Sequence, residues 1–207
     1  MTVPDSLLNL NGDMLAAVDV ETSGRLAGWH EIIQIAVLPL NSEIEPSETY
    51  KPFYVHICPN HRDRAEKGAL HVNGLDIDWL VTNGLDSDLA VDRFVEWFHE
   101  LELPLGKRLC PLAHNWAFER GFLVNWLGNE LHDTIWHPHS RDSQRVATLF
   151  NDAAAYHGKK IPFGSVSQKS LCKKFGIENA NEHDALADCI ACAKLYRALV
   201  RGLGHSK

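Results

Sequence analysis

The chain has 207 residues, 45% of them apolar and 23% charged, a balance that supports about one to one and a half folded domains and excludes a disordered tail. No apolar run approaches the roughly 18 to 20 residues needed to cross a bilayer, and Met1-Thr2-Val3-Pro4-Asp5 lacks the basic and apolar regions of a secretory leader. The net charge of −7 argues against coating nucleic acid by bulk attraction, although residues 1–105 carry 6 Lys/Arg against 18 Asp/Glu and residues 106–207 carry 14 against 9.

No repeat, low-complexity tract or long linker divides the chain, so residues 1–207 read as a single α/β domain. Met14 to Val20 predicts a buried strand, Glu31 to Leu40 a second, and Tyr50 to Cys58 a third closed by Pro59, joined as an antiparallel meander. A helix follows with Val91, Phe94, Val95 and Phe98 on its stripe, then a short strand from Arg108 to Ala113 and a helix from Ala117 to Leu127. Further helices are predicted near Val146 to His157 and Leu171 to Phe175. The last runs from Asp184 to Leu203, with Gly202 and Gly204 as stop signals. Five cysteines, Cys58, Cys110, Cys172, Cys189 and Cys192, lie in apolar stretches and read as reduced core thiols, which favours a cytoplasmic, non-membrane setting.

Carboxylates stand where a core would not want them. Asp19 and Glu21 are two apart at the end of the first strand, so both project from one face. Glu119 borders the apolar stripe of Phe122, Leu123, Trp126 and Leu127. Asp188 heads the stripe of Cys192, Leu195, Tyr196 and Leu199, with His183 five residues earlier. Each has an ordinary explanation taken alone: a solvated strand end for the first pair, a carboxylate at a helix N-terminus for Glu119. Together they make four carboxylates and one histidine that would repel one another unless divalent cations neutralised them, and oxygen ligation points to Mg²⁺ or Mn²⁺.

Four segments carry a resemblance: Asp19-Val20-Glu21-Thr22-Ser23-Gly24, Glu31-Ile32-Ile33-Gln34-Ile35-Ala36, Ala113-His114-Asn115-Trp116-Ala117-Phe118-Glu119, and His183-Asp184-Ala185-Leu186-Ala187-Asp188. In this order and spacing the chain resembles the DEDDh 3′–5′ exonucleases, over about residues 14–200. The resemblance implies a ribonuclease H-like α/β fold, with a mixed five-stranded sheet whose first three strands are antiparallel, flanked by helices. It implies two Mg²⁺ or Mn²⁺ ions on Asp19, Glu21, Glu119 and Asp188, and His183 as the general base. Glu119 stands where the family usually has aspartate. Thr22, Ser23, Gly24, Asn115 and Trp116 would contact the 3′ end of single-stranded or frayed DNA or RNA, releasing nucleoside 5′-monophosphates. A polymerase or repair partner and a homodimer are compatible with such a domain. The other reading of the same fold is a catalytically weak nucleic-acid-binding module, and a ribonuclease H-like endonuclease would share the metals.

Cys189-x-x-Cys192 lacks a second CxxC and lies in a helix, so it is set aside as a zinc site, as are Cys58-x-x-His61 and the histidines His132, His137 and His139. Trp79, Trp97, Trp116, Trp126 and Trp136 read mostly as packing, with Trp116, beside Asn115 in a motif, also a candidate to line the substrate groove. Lys159, Lys160, Lys169, Lys173 and Lys174 precede His183 and are expected to guide a phosphate backbone toward the carboxylates.

Overall fold

The computed structural model describes residues 7–179 and 181–204, so the reading of Met1 to Asp5 lies outside the described residues. Five strands, β1 (Met14–Thr22), β2 (Ile32–Pro39), β3 (Phe53–His56), β4 (Leu109–Ala113) and β5 (Arg141–Asp142), form one mixed sheet in the order β3-β2-β1-β4-β5. The first three are antiparallel neighbours, whereas β4 and β5 run parallel to β1. This is the ribonuclease H-like arrangement, and the register pairs Glu21 with Gln34 and Gln34 with His56 across the sheet. β3 is shorter than Tyr50 to Cys58 because only its central four residues ladder with β2.

Strand alternation sorts β1 into two faces. Met14, Ala16, Val18 and Val20 point into the larger core, covered by helices α3 (Ser87–Glu100) and α4 (Trp116–Leu127), which follow α1 (Lys67–Asn73) and α2 (Ile77–Asn83) in the chain. α5 (Asn129–Ile135) leads from α4 toward β5, and α6 (Ser143–Tyr156) follows that strand. Within α3 the fully buried positions are Ala90, Phe94 and Trp97, so the stripe is rotated from the expected one and Val91, Val95 and Phe98 sit at its half-buried margin. Trp97 packs, as the sequence suggests, with the rings of Phe53 and Phe94 centred 5.7 and 5.6 Å from its own.

Leu15 and Ala17 point the other way, toward α8 (Ala185–Gly204), which is flanked by α6 and α7 (Gln168–Phe175). The contact is made by small side chains: Ala17 and Ala36 from the sheet, Ala185, Cys189, Cys192 and Ala193 from the helix. The thiol of Cys189 reaches the Ala36 carbonyl at 3.5 Å. Small residues on both sides let helix and sheet approach closely, and that closeness carries Asp188 onto the end of β1. All five cysteines are free, and no helix among the described residues is long and apolar enough to cross a membrane.

Candidate active site

β1 continues its α8-facing row past Ala17 with Asp19 and Glu21, so the apolar face turns acidic where the strand reaches the end of the sheet. α8 delivers Asp188 from above. α4 delivers Glu119, which is 5% exposed. All four carboxylates and His183 line one cleft of about 450 Å³, together with Phe118, Gln168, Lys169, Lys173 and Asn179. One oxygen or ring nitrogen from each of Glu21, His183 and Asp188 lies within 4.8 Å of the others.

Both flanking helices are held by specific hydrogen bonds. Asp142, at the end of β5, accepts from the backbone N–H groups of Asn115 (3.3 Å) and Trp116 (3.0 Å) at the start of α4, and from Gln144 (3.0 Å) and Arg145 (3.1 Å) at the start of α6. One buried carboxylate thus caps two helices, which its negative charge favours at both N-termini. Asn115 accommodates the sharp entry into α4 with a left-handed backbone, φ 90°.

The loop before α8 is anchored just as closely. His183 itself has a left-handed φ of 68°, a costly conformation for a residue that is not glycine. Its backbone N–H donates to Asp188 Oδ2 at 2.9 Å, while Asp188 Oδ1 accepts from Asn179 at 2.6 Å and Gln168 at 3.2 Å. Next to it, Asp184 accepts from the Tyr54 hydroxyl at 2.6 Å and from the Ala187 N–H at 3.0 Å. Gln34, buried under the helix start, accepts from the Ala185 N–H at 2.8 Å and donates to the Tyr54 oxygen at 3.0 Å. Tyr54, Gln34, Gln168 and Asn179 carry no motif of their own, and only the three-dimensional contact identifies them.

Electrostatically the cleft is under strain. Burial raises the Glu21 pKa to about 9, with Asp19, Asp188 and Asp184 adding to it. Burial and the charges of Asp188 and Asp184 raise Asp19 well above the usual carboxylate range. Glu119 is raised by burial and then by Asp19, and one of its oxygens, Oε2, is buried with no hydrogen-bond partner among the described residues. Asp188 is raised by burial, an effect that the N–H of His183 and the amide of Asn179 oppose. An unpartnered buried carboxylate oxygen beside three more carboxylates fits a site for divalent cations, whose charge would satisfy all four at once.

Not every residue expected to contact substrate lines the cleft. Trp116 is 7% exposed and packs in the core, its ring 6.4 Å from His132 and 5.8 Å from Trp136; it does not line the cleft. Asn115 is exposed outside the cleft lining. Thr22, Ser23 and Gly24 are buried and used to build the turn. Thr22 donates to the Gly24 carbonyl at 2.7 Å, and Ser23 Oγ accepts from the Glu31 N–H at 3.0 Å. At Gly24 an added Cβ would meet the His30 ring at 2.3 Å, so only glycine fits there. Of the five lysines, Lys169 and Lys173 reach the cleft, with Lys169 paired to Glu182 at 2.7 Å. Lys159 and Lys160 are exposed beyond α6, and Lys174 lies over the Phe163 ring at 5.7 Å.

A ribonuclease H-like sheet with a carboxylate cluster at the end of its first strand suits metal-assisted chemistry at phosphorus, as in nucleases. The exonuclease family (RNase_T) matches residues 16–196, and the chain belongs to that family. The resemblance to the DEDDh 3′–5′ exonucleases is thereby borne out, and the enzyme class is an exonuclease hydrolysing phosphodiesters. Divalent-metal dependence goes with this fold. The chain is 25% identical over 188 residues to the 3′–5′ DNA exonuclease Cap18 of Escherichia coli, covering 90% of this chain and 91% of Cap18. In fold it is similar to E. coli exonuclease I in complex with a dT13 oligonucleotide (TM-score 0.71, 19% identity, 93% of this chain and 43% of that one). It is also similar to exonuclease I from Methylocaldum szegediense (TM-score 0.69, 22% identity, 92% and 40%). The chain spans about two fifths of these exonuclease I chains.

Proposed function

We propose that residues 1–207 act as one catalytic domain that removes nucleoside 5′-monophosphates from the 3′ end of single-stranded DNA, using two Mg²⁺ or Mn²⁺ ions. The observation that carries this reading is the convergence of Asp19, Glu21, Glu119, Asp188 and His183 on one cleft. The choice of DNA and of the 3′ end rests on the similarity to Cap18, whose activity is of that kind.

Asp19, Glu21, Glu119 and Asp188 would hold the ions, which when bound polarise the scissile phosphodiester and offset the charge of the departing 3′ oxygen. His183 acts as the general base that takes the proton of the attacking water; it is exposed at the cleft mouth and within reach of Glu21 and Asp188. Its strained backbone is held by Asp188 on one side and by the Tyr54–Asp184 contact on the other, so the imidazole is placed before substrate arrives. Gln168 and Asn179 keep the Asp188 carboxylate turned into the cleft. Lys173 attracts the polyanion toward an otherwise acidic site, with Lys169 contributing less, being paired to Glu182.

The test is a single assay on 5′-labelled single-stranded DNA and RNA of one sequence, with Mg²⁺, Mn²⁺ or EDTA, and with Asp19→Ala and His183→Ala. A metal-dependent ladder shortening from the 3′ end, faster on DNA and lost in both variants, is the expected result. Binding without turnover under every metal condition would refute the catalytic reading, and a preference for RNA would refute the assignment of substrate.

A further inference from the structure

The acidic half of the chain holds few cations, and their placement is uneven. Of its six Lys/Arg residues, Arg25, Arg62, Arg64 and Lys67 fall in two segments, 23–31 after β1 and 57–67 after β3. Both segments leave the end of the sheet at which Glu21 stands, because β3 and β1 run in the same direction on either side of β2.

The two segments are tied into one frame. The Glu31 carboxylate accepts from the backbone N–H groups of Asn60 (3.1 Å) and His61 (2.8 Å). The Ser23 carbonyl accepts from the Glu66 N–H at 2.7 Å. The buried His30 accepts from the Leu26 N–H at 3.0 Å on one ring nitrogen and faces Glu66 at 3.3 Å with the other. On this frame Trp29 is 53% exposed, and the Arg64 guanidinium lies over its ring, 4.3 Å from the centre. Behind the pair is a cavity of about 350 Å³ whose far wall is Phe122, Asn125 and Trp126 of α4. The indole Nε1 of Trp126 is buried with no hydrogen-bond partner among the described residues.

α4 therefore serves two sites. Phe118 and Glu119 line the carboxylate cleft, while Phe122, Asn125 and Trp126 line this cavity, roughly 9 Å further along the helix axis from Glu119 to Asn125. An exposed indole and a guanidinium on a rigid frame suit a strand that offers flat bases and phosphates in alternation, since stacking accepts any base and Arg pairs with phosphate.

Building on the exonuclease reading above, we propose that Trp29 and Arg64 form a second nucleotide subsite for the single-stranded substrate, outside the nucleotide being cleaved. A base stacks on the Trp29 ring, and Arg64 and Arg25 meet the phosphates beside it. Arg62 contributes less, being paired to Asp78 at 3.1 Å.

The test uses the full chain with Mn²⁺ and two substrates. The p-nitrophenyl ester of thymidine 5′-monophosphate reaches only the cleft, and its hydrolysis by the wild type, abolished by Asp19→Ala, checks the underlying exonuclease reading. The oligonucleotide dT12 checks the subsite. Trp29→Ala and Arg64→Ala are expected to raise KM for dT12 about tenfold with kcat within twofold, and Trp29→Phe to restore most of the loss. Arg64→Ala should also reduce the slope of log affinity against log salt by about 0.7, one phosphate contact on a single strand. An unchanged dT12 KM in Trp29→Ala, or a fall in kcat alone, overturns the subsite while ester hydrolysis leaves the cleft reading standing. Should the wild type cleave neither substrate, the exonuclease reading fails by itself. Anisotropy of labelled dT12 then decides the subsite: tenfold weaker binding by Trp29→Ala supports it, and equal binding refutes it.

Discussion

Replacing Glu21 with glutamine should make the metal-free protein more stable, by an amount that grows with pH. Burial first, and then Asp19, Asp188 and Asp184, raise the Glu21 carboxyl from its ordinary 4.5 to about 9 in the folded chain. A raised carboxylate pKa means that between these values the folded protein holds a proton which the unfolded chain releases. The cost is absent below about pH 4.5, increases as pH rises, and levels off above about 9. At pH 7 the distance from 4.5 corresponds to about 3 kcal/mol at 1.36 kcal/mol per pH step. Solvent reaching the open cleft screens part of that, so a gain of roughly 1–3 kcal/mol is expected in Glu21→Gln. For a chain of this length the gain raises Tm by on the order of 5 °C. Thermal unfolding of both proteins in EDTA from pH 5 to 9 reads it directly. The two curves should meet near pH 5 and separate toward pH 9, and Mn²⁺ should raise the wild-type Tm more than the variant's. A gap independent of pH, or a Glu21→Gln protein less stable than wild type at pH 8, would refute the account of a cleft strained by its own charges.

Three further substitutions probe separate parts of the site. Glu119→Asp withdraws the carboxylate by about 1.5 Å from its buried place beside Asp19 and should lower kcat at least tenfold with KM within threefold; a variant as fast as wild type would show that the longer side chain is not required. Tyr54→Phe deletes only the hydroxyl that bonds Asp184 and Gln34. It should cut kcat three- to tenfold without changing KM, and Asp184→Asn, which keeps only one of the two oxygens that accept from Tyr54 and Ala187, should lose at least as much; equal losses in KM and kcat would point to a different role. Asp142→Ala removes the caps of both α4 and α6 and should cost about 2–4 kcal/mol in urea unfolding, at ~1–2 kcal/mol per cap; a cost under 1 kcal/mol would mean that water replaces the carboxylate.

Four of the five residues named from the sequence as catalytic were legible for a common reason, each being a carboxylate in or beside an apolar row, whereas His183 lies in the loop before α8 and is marked only by its motif. Asp19 and Glu21 extend the row of Leu15 and Ala17, and Asp188 heads the row that buries Cys192 and Leu195. Periodicity therefore gave their direction, and the order of the motifs gave their company. It could not give the supporting contacts, since Tyr54 and Asp184 are 130 residues apart and meet only because β3 pairs with β2 beside the start of α8. β5 escaped notice because two residues are too few to show an alternation, and α1 and α2 because their exposed surfaces leave little apolar stripe to read. For Trp116 the sequence left two readings, packing or the substrate groove, and the structure favours the first, since its place at the first turn of α4 turns the ring onto Trp136. The Thr22–Ser23–Gly24 turn also has a structural part to play. Its side chains and its missing Cβ hold His30 and Glu31, and those two residues hold the loops that present Trp29 and Arg64.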